Sequence, residues 1–282
     1  MMRRSTGHTR GFFLRKTLAS LCLLLLAACA SAQEGAQLTA DRLEYAPGMK
    51  RIRAIGNVQY SSVDGELAGD EADGTEDGRD ILVRGNVRGT FYAQSLDVTC
   101  ETMRIRQREG ETRTIVASGD VSLLRGDDAM TSDAATWLAG SDNYRAIGNV
   151  LGTFGSYSID ADEVARNGDA VEARNIRRYA DTERGVTLSA AKANGTIAPD
   201  GALSDLTAEG QVVLTMRNEG EITHITGNKG VYSLARGTVV ISGNAAVEQA
   251  GRNLRAGSVV YHLDTGRVEA LGRPTMTITL PD

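Results

Sequence analysis

Two short phrases alternate along nearly the whole chain with a period of about 30 residues, and nothing else in the sequence restricts the fold as strongly. The first phrase runs apolar, any, small, Asp/Asn/Gly-like, any, apolar, any, and usually aromatic. Its clearest copies are Leu38–Tyr45, Met130–Trp137 and Leu254–Tyr261. The second phrase is Gly, then Asn, Asp or Gln, then Val, at Gly56, Gly85, Gly119, Gly148 and Gly210, with looser copies at Gly243 and Gly272. First phrases begin at 38, 67, 98, 130, 159, 188, 225 and 254. The glycine follows each start by 18, 18, 21, 18, 18, 22, 18 and 18 residues, provided that the fifth slot is placed at Arg177. Eight units with one degenerate member predict a stacked array rather than a single irregular core.

The second phrase sits in strict alternation. Ile52, Ala54, Gly56, Val58 and Tyr60 share one face against Arg53, Asn57 and Gln59, and Ile81 to Phe91 repeats the pattern. Alternate strand side chains point to opposite faces, so each unit supplies one long strand with a dry side, on which the glycine is expected to lie. Such a glycine marks a bend or close backbone approach, or leaves room for a guest. In the first phrase Leu38 and Ala40 share a phase, Leu43 and Tyr45 share the other, and the break falls at Asp41-Arg42. A break at a fixed place predicts a bulge or corner that bends the strand while both halves face the core. Turn residues between the phrases, such as Asp73-Gly74, Asn167-Gly168 and Asp264-Thr265-Gly266, predict hairpin reversals. The expected fold is all-β, with two or more bent strands per unit stacked into a long curled sheet.

The fifth unit reads Ala173-Arg174-Asn175-Ile176-Arg177-Arg178-Tyr179, with no glycine and with charge where an apolar face is expected. It is either a worn repeat or a seam between two halves, 36–156 and 157–282, of the repeat region 36–282.

Residues 1–32 read as an export signal. Arg3, Arg4, Arg10, Arg15 and Lys16 precede the apolar run Leu18–Ala28, which is too short to span a bilayer. Two cleavage signals overlap, and an uncleaved anchor is a third option. Leu26-Ala27-Ala28-Cys29 reads as a lipobox in which Cys29 is lipidated, and Ala30-Ser31-Ala32 as an ordinary small-x-small site. Loss of the five basic residues leaves 26 Lys+Arg against 36 Asp+Glu, a net charge of −10, which argues against nucleic acid as a partner. Cys100 then stands alone and reads as a buried small hydrophobe, without a disulfide framework.

No nucleophile with a base, no Cys/His set and no phosphate loop is evident, so no enzyme activity and no cofactor are expected. Asp41, Asp70, Glu101, Asp133, Asp162 and Asn228 recur at the repeat spacing, which reads as equivalent corner positions rather than a metal site.

Tyr232 to Ala245, Leu254 to Tyr261 and Gly266 to Ala270, with looser copies over about residues 36 to 282, resemble the OstA-like domain of lipopolysaccharide-transport proteins, the family of LptA and LptC. The resemblance implies a curled β-jellyroll, or β-taco, open along one side, whose apolar interior carries acyl chains across the periplasm. It implies lipopolysaccharide or a related glycolipid as partner, and other export proteins, or a second copy head to tail, docked through sheet edges. With a lipidated Cys29 the chain would be anchored to the outer or inner membrane. The inward residues nominated as groove wall are Ile52, Val58, Val83, Val87, Val121, Val150, Phe154, Val212, Leu214, Ile241, Val247 and Met276; each also reads as ordinary core. The alternatives are a closed structural β-solenoid with stacked Asn57, Asn86, Asn149 and Asn244, or a scaffold that binds export proteins without lipid.

Overall fold

The computed structural model describes residues 35–198, 203–218 and 220–279. Residues 1–32, expected to be an export signal, lie outside the described residues, and Cys29 with them. The strands are β1 (Gln37–Thr39), β2 (Arg42–Ala46), β3 (Arg51–Ser62), β4 (Gly65–Thr75), β5 (Asp80–Phe91) and β6 (Leu96–Arg106). They continue as β7 (Thr114–Arg125), β8 (Asp128–Leu138), β9 (Tyr144–Phe154), β10 (Tyr157–Asn167), β11 (Ala170–Asp181) and β12 (Val186–Ile197). The last are β13 (Leu203–Asn218), β14 (Glu221–Ser233), β15 (Thr238–Gln249), β16 (Arg252–His262), β17 (Val268–Leu271) and β18 (Thr275–Ile278).

From β2 to β17 each strand pairs antiparallel with the next, in one sheet. β1 adds to β3 and β18 to β16. From the second unit to the seventh, each first phrase is an even-numbered strand and each second phrase the odd-numbered strand after it, so these units are hairpins; in the end units Leu38–Tyr45 is split between β1 and β2, and Gly272 falls between β17 and β18. Antiparallel ladders throughout exclude the parallel coil that a structural solenoid would need. The pairing of β9 with β10 runs straight across the junction at residue 156.

Every hairpin carries the same corner. In β5, Val83 lies opposite Met103 and Val87 opposite Cys100, so four steps on the glycine strand face three on its neighbour. The extra residue therefore belongs to the second phrase, not the first; the first-phrase strand answers by turning two successive residues, such as Glu101 and Thr102, away from the buried side. The glycine strand accommodates it with two consecutive left-handed residues, for example Gly148 (φ 78°) and Asn149 (φ 48°). Glycine, and next Asn or Asp, tolerate that conformation best, which accounts for the Gly-Asn signature.

The carboxylate of the first phrase packs on the missing side chain. A Cβ on Gly56, Gly85 or Gly148 would overlap Asp41, Asp70 or Asp133. The same carboxylates accept hydrogen bonds from Asn57, Asn86 and Asn149 at 2.8 to 3.2 Å. The glycines thus face an exposed carboxylate, and the space they leave is already taken; it is not room for a guest.

The fifth corner is spread out rather than lost. Asn175 has φ 49° and donates to Asp162, while the ladder to β12 holds through Ile176 and slips between Ile176 and Tyr179, so the corner spreads from Asn175 to Arg178 around the expected Arg177. The dry face persists in Ala173, Ile176 and Ala180, all buried. Arg177 points outward and binds Asp160, Asp162 and the Ala161 carbonyl, and the hydrogen bonds from Asn175 and then Arg177 lower the pKa of Asp162.

The corner folds the sheet on itself. In a flat meander the turns at opposite strand ends would lie on the order of 35 Å apart for strands of this length. Yet Asp64, in the β3–β4 turn, binds Arg113 of the opposite rim at 2.8 Å, and Gln94 donates to the Leu138 carbonyl. Arg125 reaches Asp142 in the same way at 3.3 Å. The two rims meet along a seam, and the inward faces of both halves form one interior.

Gly148→Ala, which combines left-handed backbone with overlap of Asp133, is expected to lower stability by about 2 to 4 kcal/mol. Gly168→Ala, also at positive φ but with open space around it, is expected to cost about 1 kcal/mol. Urea midpoints of the two variants against the parent check the difference.

Candidate functional site

The interior changes character along the array. In units three and four it is filled by Met103, Ile105, Ile115, Val121 and Leu123, with Phe91 set edge-on to Trp137 at 5.6 Å. In units five and six Ala161, Ala173, Ala190, Ala193 and Ala208 are buried alongside Val164, Ile176 and Leu188, and Ala193 stands where unit three has Met103. Interiors otherwise pack to near-crystalline density, so a run of short side chains on facing strands leaves unfilled volume. A cavity of about 350 Å³ lies here, walled by Phe154, Ile159, Val164, Ile176, Leu188, Ile197, Leu203 and Leu206. Smaller cavities of about 90 Å³ and 60 Å³ adjoin it and share its walls, the first at Trp137 and Tyr144, the second at Leu214, Tyr232 and Ile241. Together they make an apolar line from Leu96 to Leu263.

A separate apolar cavity of about 250 Å³ sits at the N-terminal end under Leu38, Ile52, Val58, Tyr60 and Val83. The packed segment around Phe91, Met103 and Trp137 divides it from the central one. A larger hollow of about 470 Å³, near β1 and β3–β5, is mostly polar.

The nominated groove residues separate accordingly. Ile52, Val58 and Val83 line the N-terminal cavity, Phe154 the central one, and Leu214 and Ile241 the smallest. Val87, Val121, Val150, Val212 and Val247 are buried in packed stretches between cavities. Met276 departs from the expectation: it is 54% exposed, because β18 is a terminal strand with a neighbour on one side only. The main walls that sequence reasoning missed are Ile159, Ile176, Leu188 and Leu206. Ile159 and Leu188 open their first phrases, so their inward phase was available, whereas Ile176 was hidden by placing the fifth slot at Arg177.

Polar groups gather at the seam side of these cavities. Arg125, Asp128, Tyr144 and Arg166 border both the central and the 90 Å³ cavity, and Asp142 borders the latter. Burial pushes the Tyr144 hydroxyl above the usual phenol range, and Arg166 and Arg125 oppose that rise. Arg125–Asp142 is also the last pair that joins the two rims: among the described residues no hydrogen bond or ion pair crosses the seam C-terminal to it. That pair stands at the unit-four end of the central cavity, which Arg125 borders. Two buried donors, Trp137 Nε1 and Tyr232 Oη, have no hydrogen-bond partner and border the 90 and 60 Å³ cavities.

Among the described residues no group of His, Cys, Asp and Glu is arranged to hold a metal, and no helix is long and apolar enough to cross a membrane. Cys100 faces the packed interior, where burial pushes its thiol from 9.0 up to about 11.

The LptA/(LptD N-terminal domain) LPS transport protein family matches residues 97–267. No curated protein matches the chain. Among solved structures, one similar chain is LptH from Pseudomonas aeruginosa, the LptA-homologous periplasmic component of its lipopolysaccharide transport device. It is 15% identical, with 66% of this chain and 96% of that chain covered and a TM-score of 0.26.

Cys100 supplies a test of the sealed interior. Its raised pKa favours the neutral thiol in the folded state, so the associated stability is full below the unfolded value near 9 and is lost as pH rises towards about 11. Native protein at pH 8 is expected to leave Cys100 unreactive to a thiol reagent, with full reaction after denaturation and a falling urea midpoint between pH 9 and 11.

Proposed function

Because the chain belongs to the LptA/(LptD N-terminal domain) LPS transport protein family, we propose that it binds lipopolysaccharide or a related glycolipid in its apolar interior and passes it through the periplasm towards the outer membrane. The observation that carries this reading is the central cavity, walled by Phe154, Ile159, Ile176, Leu188 and Leu206 and bordered at its unit-four end by Arg125 of the last polar staple. A cavity of that volume holds on the order of a dozen methylene-sized groups at about 30 Å³ each. Each methylene of a lipid tail costs about 0.8 kcal/mol to expose to water, so one such chain is stabilised by roughly 10 kcal/mol when sheltered. An unlatched seam lets acyl chains enter from the side, while the sugar headgroup stays in water.

Transfer needs no catalytic residue under this reading, since the interior offers a dry path and energy comes from other components. The sheet ends in two free edges. Leu43 and Tyr45 of β2 and Met276 and Ile278 of β18 are each more than half exposed there. Unpaired edges with exposed apolar side chains suit strand addition to other transport proteins or to a second copy head to tail. Lipidation of Cys29 would tether the chain to a membrane, and cleavage after Ala32 would free it.

Photo-crosslinking in living cells tests the reading. A crosslinker at Ile176 or Leu206 is expected to form adducts with lipopolysaccharide, and one at the outward Asn149 or Glu209 to form none. Absence of adducts at both inward positions in well-expressed protein would remove the lipid-carrying role and leave a protein-binding scaffold.

A further inference from the structure

The lipid-binding reading leaves open how the polar end of a guest is held, and the rim of the central cavity bears on that. Its walls are mostly apolar; two guanidinium groups, Arg125 and Arg166, border the opening on the side nearest unit four, with the carboxylates Asp128 beside them and Glu172, an exposed residue, on β11. Their carboxylate partners hold them loosely: Arg125 lies 3.7 Å from Asp128 and 3.3 Å from Asp142, and Arg166 lies 3.6 Å from Asp142. Elsewhere in the sheet, Arg104 grips Asp80 through two bonds of 2.7 and 2.9 Å. Arg166 is positioned independently of its carboxylate, because its Nε donates to the Gly168 carbonyl at 2.9 Å. Its side chain is only 22% exposed, whereas that of Asp142 is 54% exposed. A third donor is close by: Trp137, 5% exposed, carries an indole N–H with no partner and lines the adjoining 90 Å³ cavity together with both arginines. An indole N–H can only donate, and neither Asp128 nor Asp142, which line the same cavity, is bonded to it.

We infer that Arg125 and Arg166, with Trp137 Nε1 beneath them, form the headgroup station for a phosphate carried by an acylated lipid, and that the phosphate displaces Asp142 as the counter-ion of both arginines. The inference rests on the lipid-binding reading above. The chain is acidic overall, so an anionic headgroup finds attraction at this rim rather than along the surface at large. Arginine suits the task because its planar fork matches phosphate oxygens bidentately. The exchange also has a mechanical result. Arg125–Asp142 is the last staple across the seam, so moving Arg125 onto the phosphate releases the rims where the chain enters. Loading and opening then become one event.

The full chain contains a single tryptophan, Trp137, so its emission reports occupancy at this place. The probes are n-dodecyl phosphate, n-dodecyl maltoside and inorganic phosphate, the detergents below their micelle concentrations. Dodecyl phosphate is expected to bind at least tenfold tighter than dodecyl maltoside. Arg125→Gln and Arg166→Gln are each expected to weaken dodecyl phosphate by about tenfold, the size of one charge-assisted contact, and to leave maltoside binding unchanged. Asp142→Asn, at an exposed position, is expected to tighten dodecyl phosphate, a gain that a merely structural role would not produce. Equal affinity for the two detergents overturns the headgroup station and leaves the apolar groove standing. Unchanged affinity in Asp142→Asn overturns the exchange. Inorganic phosphate binding as tightly as dodecyl phosphate shows an anion site without lipid selectivity and likewise overturns it. Binding of neither detergent removes the lipid-carrying reading, and this inference with it.

Discussion

The structure depends on one local constraint: a strand of about twelve residues must turn a corner at its middle without losing its ladder bonds on either side. Two consecutive left-handed residues do this, and the neighbouring carboxylate fills the space where a Cβ would stand. Because side chains alternate with period two, a corner displaced by one residue on one strand would turn half its inward residues to solvent. Stacked corners therefore fix register for the whole array. The Asp–Asn bonds at residues 41 and 57, 70 and 86, and 133 and 149 tie each corner to the strand before it. They are exposed and individually weak, and their role is positional more than energetic.

Folding at the corner produces everything that bears on function: an enclosed interior, a seam, and two free edges. The interior then differs along its length for a reason that lies in side-chain volume alone. Met103, Ile105, Phe91 and Trp137 close it around unit three, whereas Ala193 takes the place of Met103 in unit six. The seam differs in parallel. Asp64–Arg113 lies over the packed part, Gln94–Leu138 and Arg125–Asp142 lie at the 90 Å³ cavity and the unit-four end of the central one, and none follows beyond them. The staples thus end where the central cavity begins.

The hairpin units, their dry faces and the place of the corner were legible in the sequence because the repeat fixes them many times over. Within that frame the errors were local. A phase break shows that two strands differ by one residue at the corner but not which of them carries it, so the bulge was placed in the first phrase and belongs to Gly-Asn. In unit five, counting 18 residues from Ile159 leads to Arg177, around which the ladder to β12 slips, while the left-handed residue is Asn175, two residues earlier, marked by its acidic partner Asp162. The cavity was less legible still. Inward phase says which residues face the interior, as it did for Phe154 and Leu214, but unfilled volume depends on which small residues face one another across the fold. Ala173 and Ala193 are opposite each other on β11 and β12, and only the register brings them together. The arginine rim was beyond reach, since Arg125, Asp142 and Arg166 meet across a seam that no repeat period encodes.

A guest that moves along the interior meets two unlike barriers. Between the N-terminal and central cavities stand Phe91, Met103 and Trp137, closely packed and nearly solvent-free. Displacing such side chains in place forces strained rotamers and backbone shifts that cost about 1 to 3 kcal/mol each. Parting the seam instead breaks rim pairs such as Asp64–Arg113, in which the carboxylate is 62% exposed, and pairs of that kind contribute roughly 0 to 1 kcal/mol. The strand ladders stay intact when the two halves of the sheet splay about their corners, because the corners are where the ladder is already interrupted. Widening along the seam is therefore the less costly deformation, and the same corners that hold register are the hinges about which it would occur.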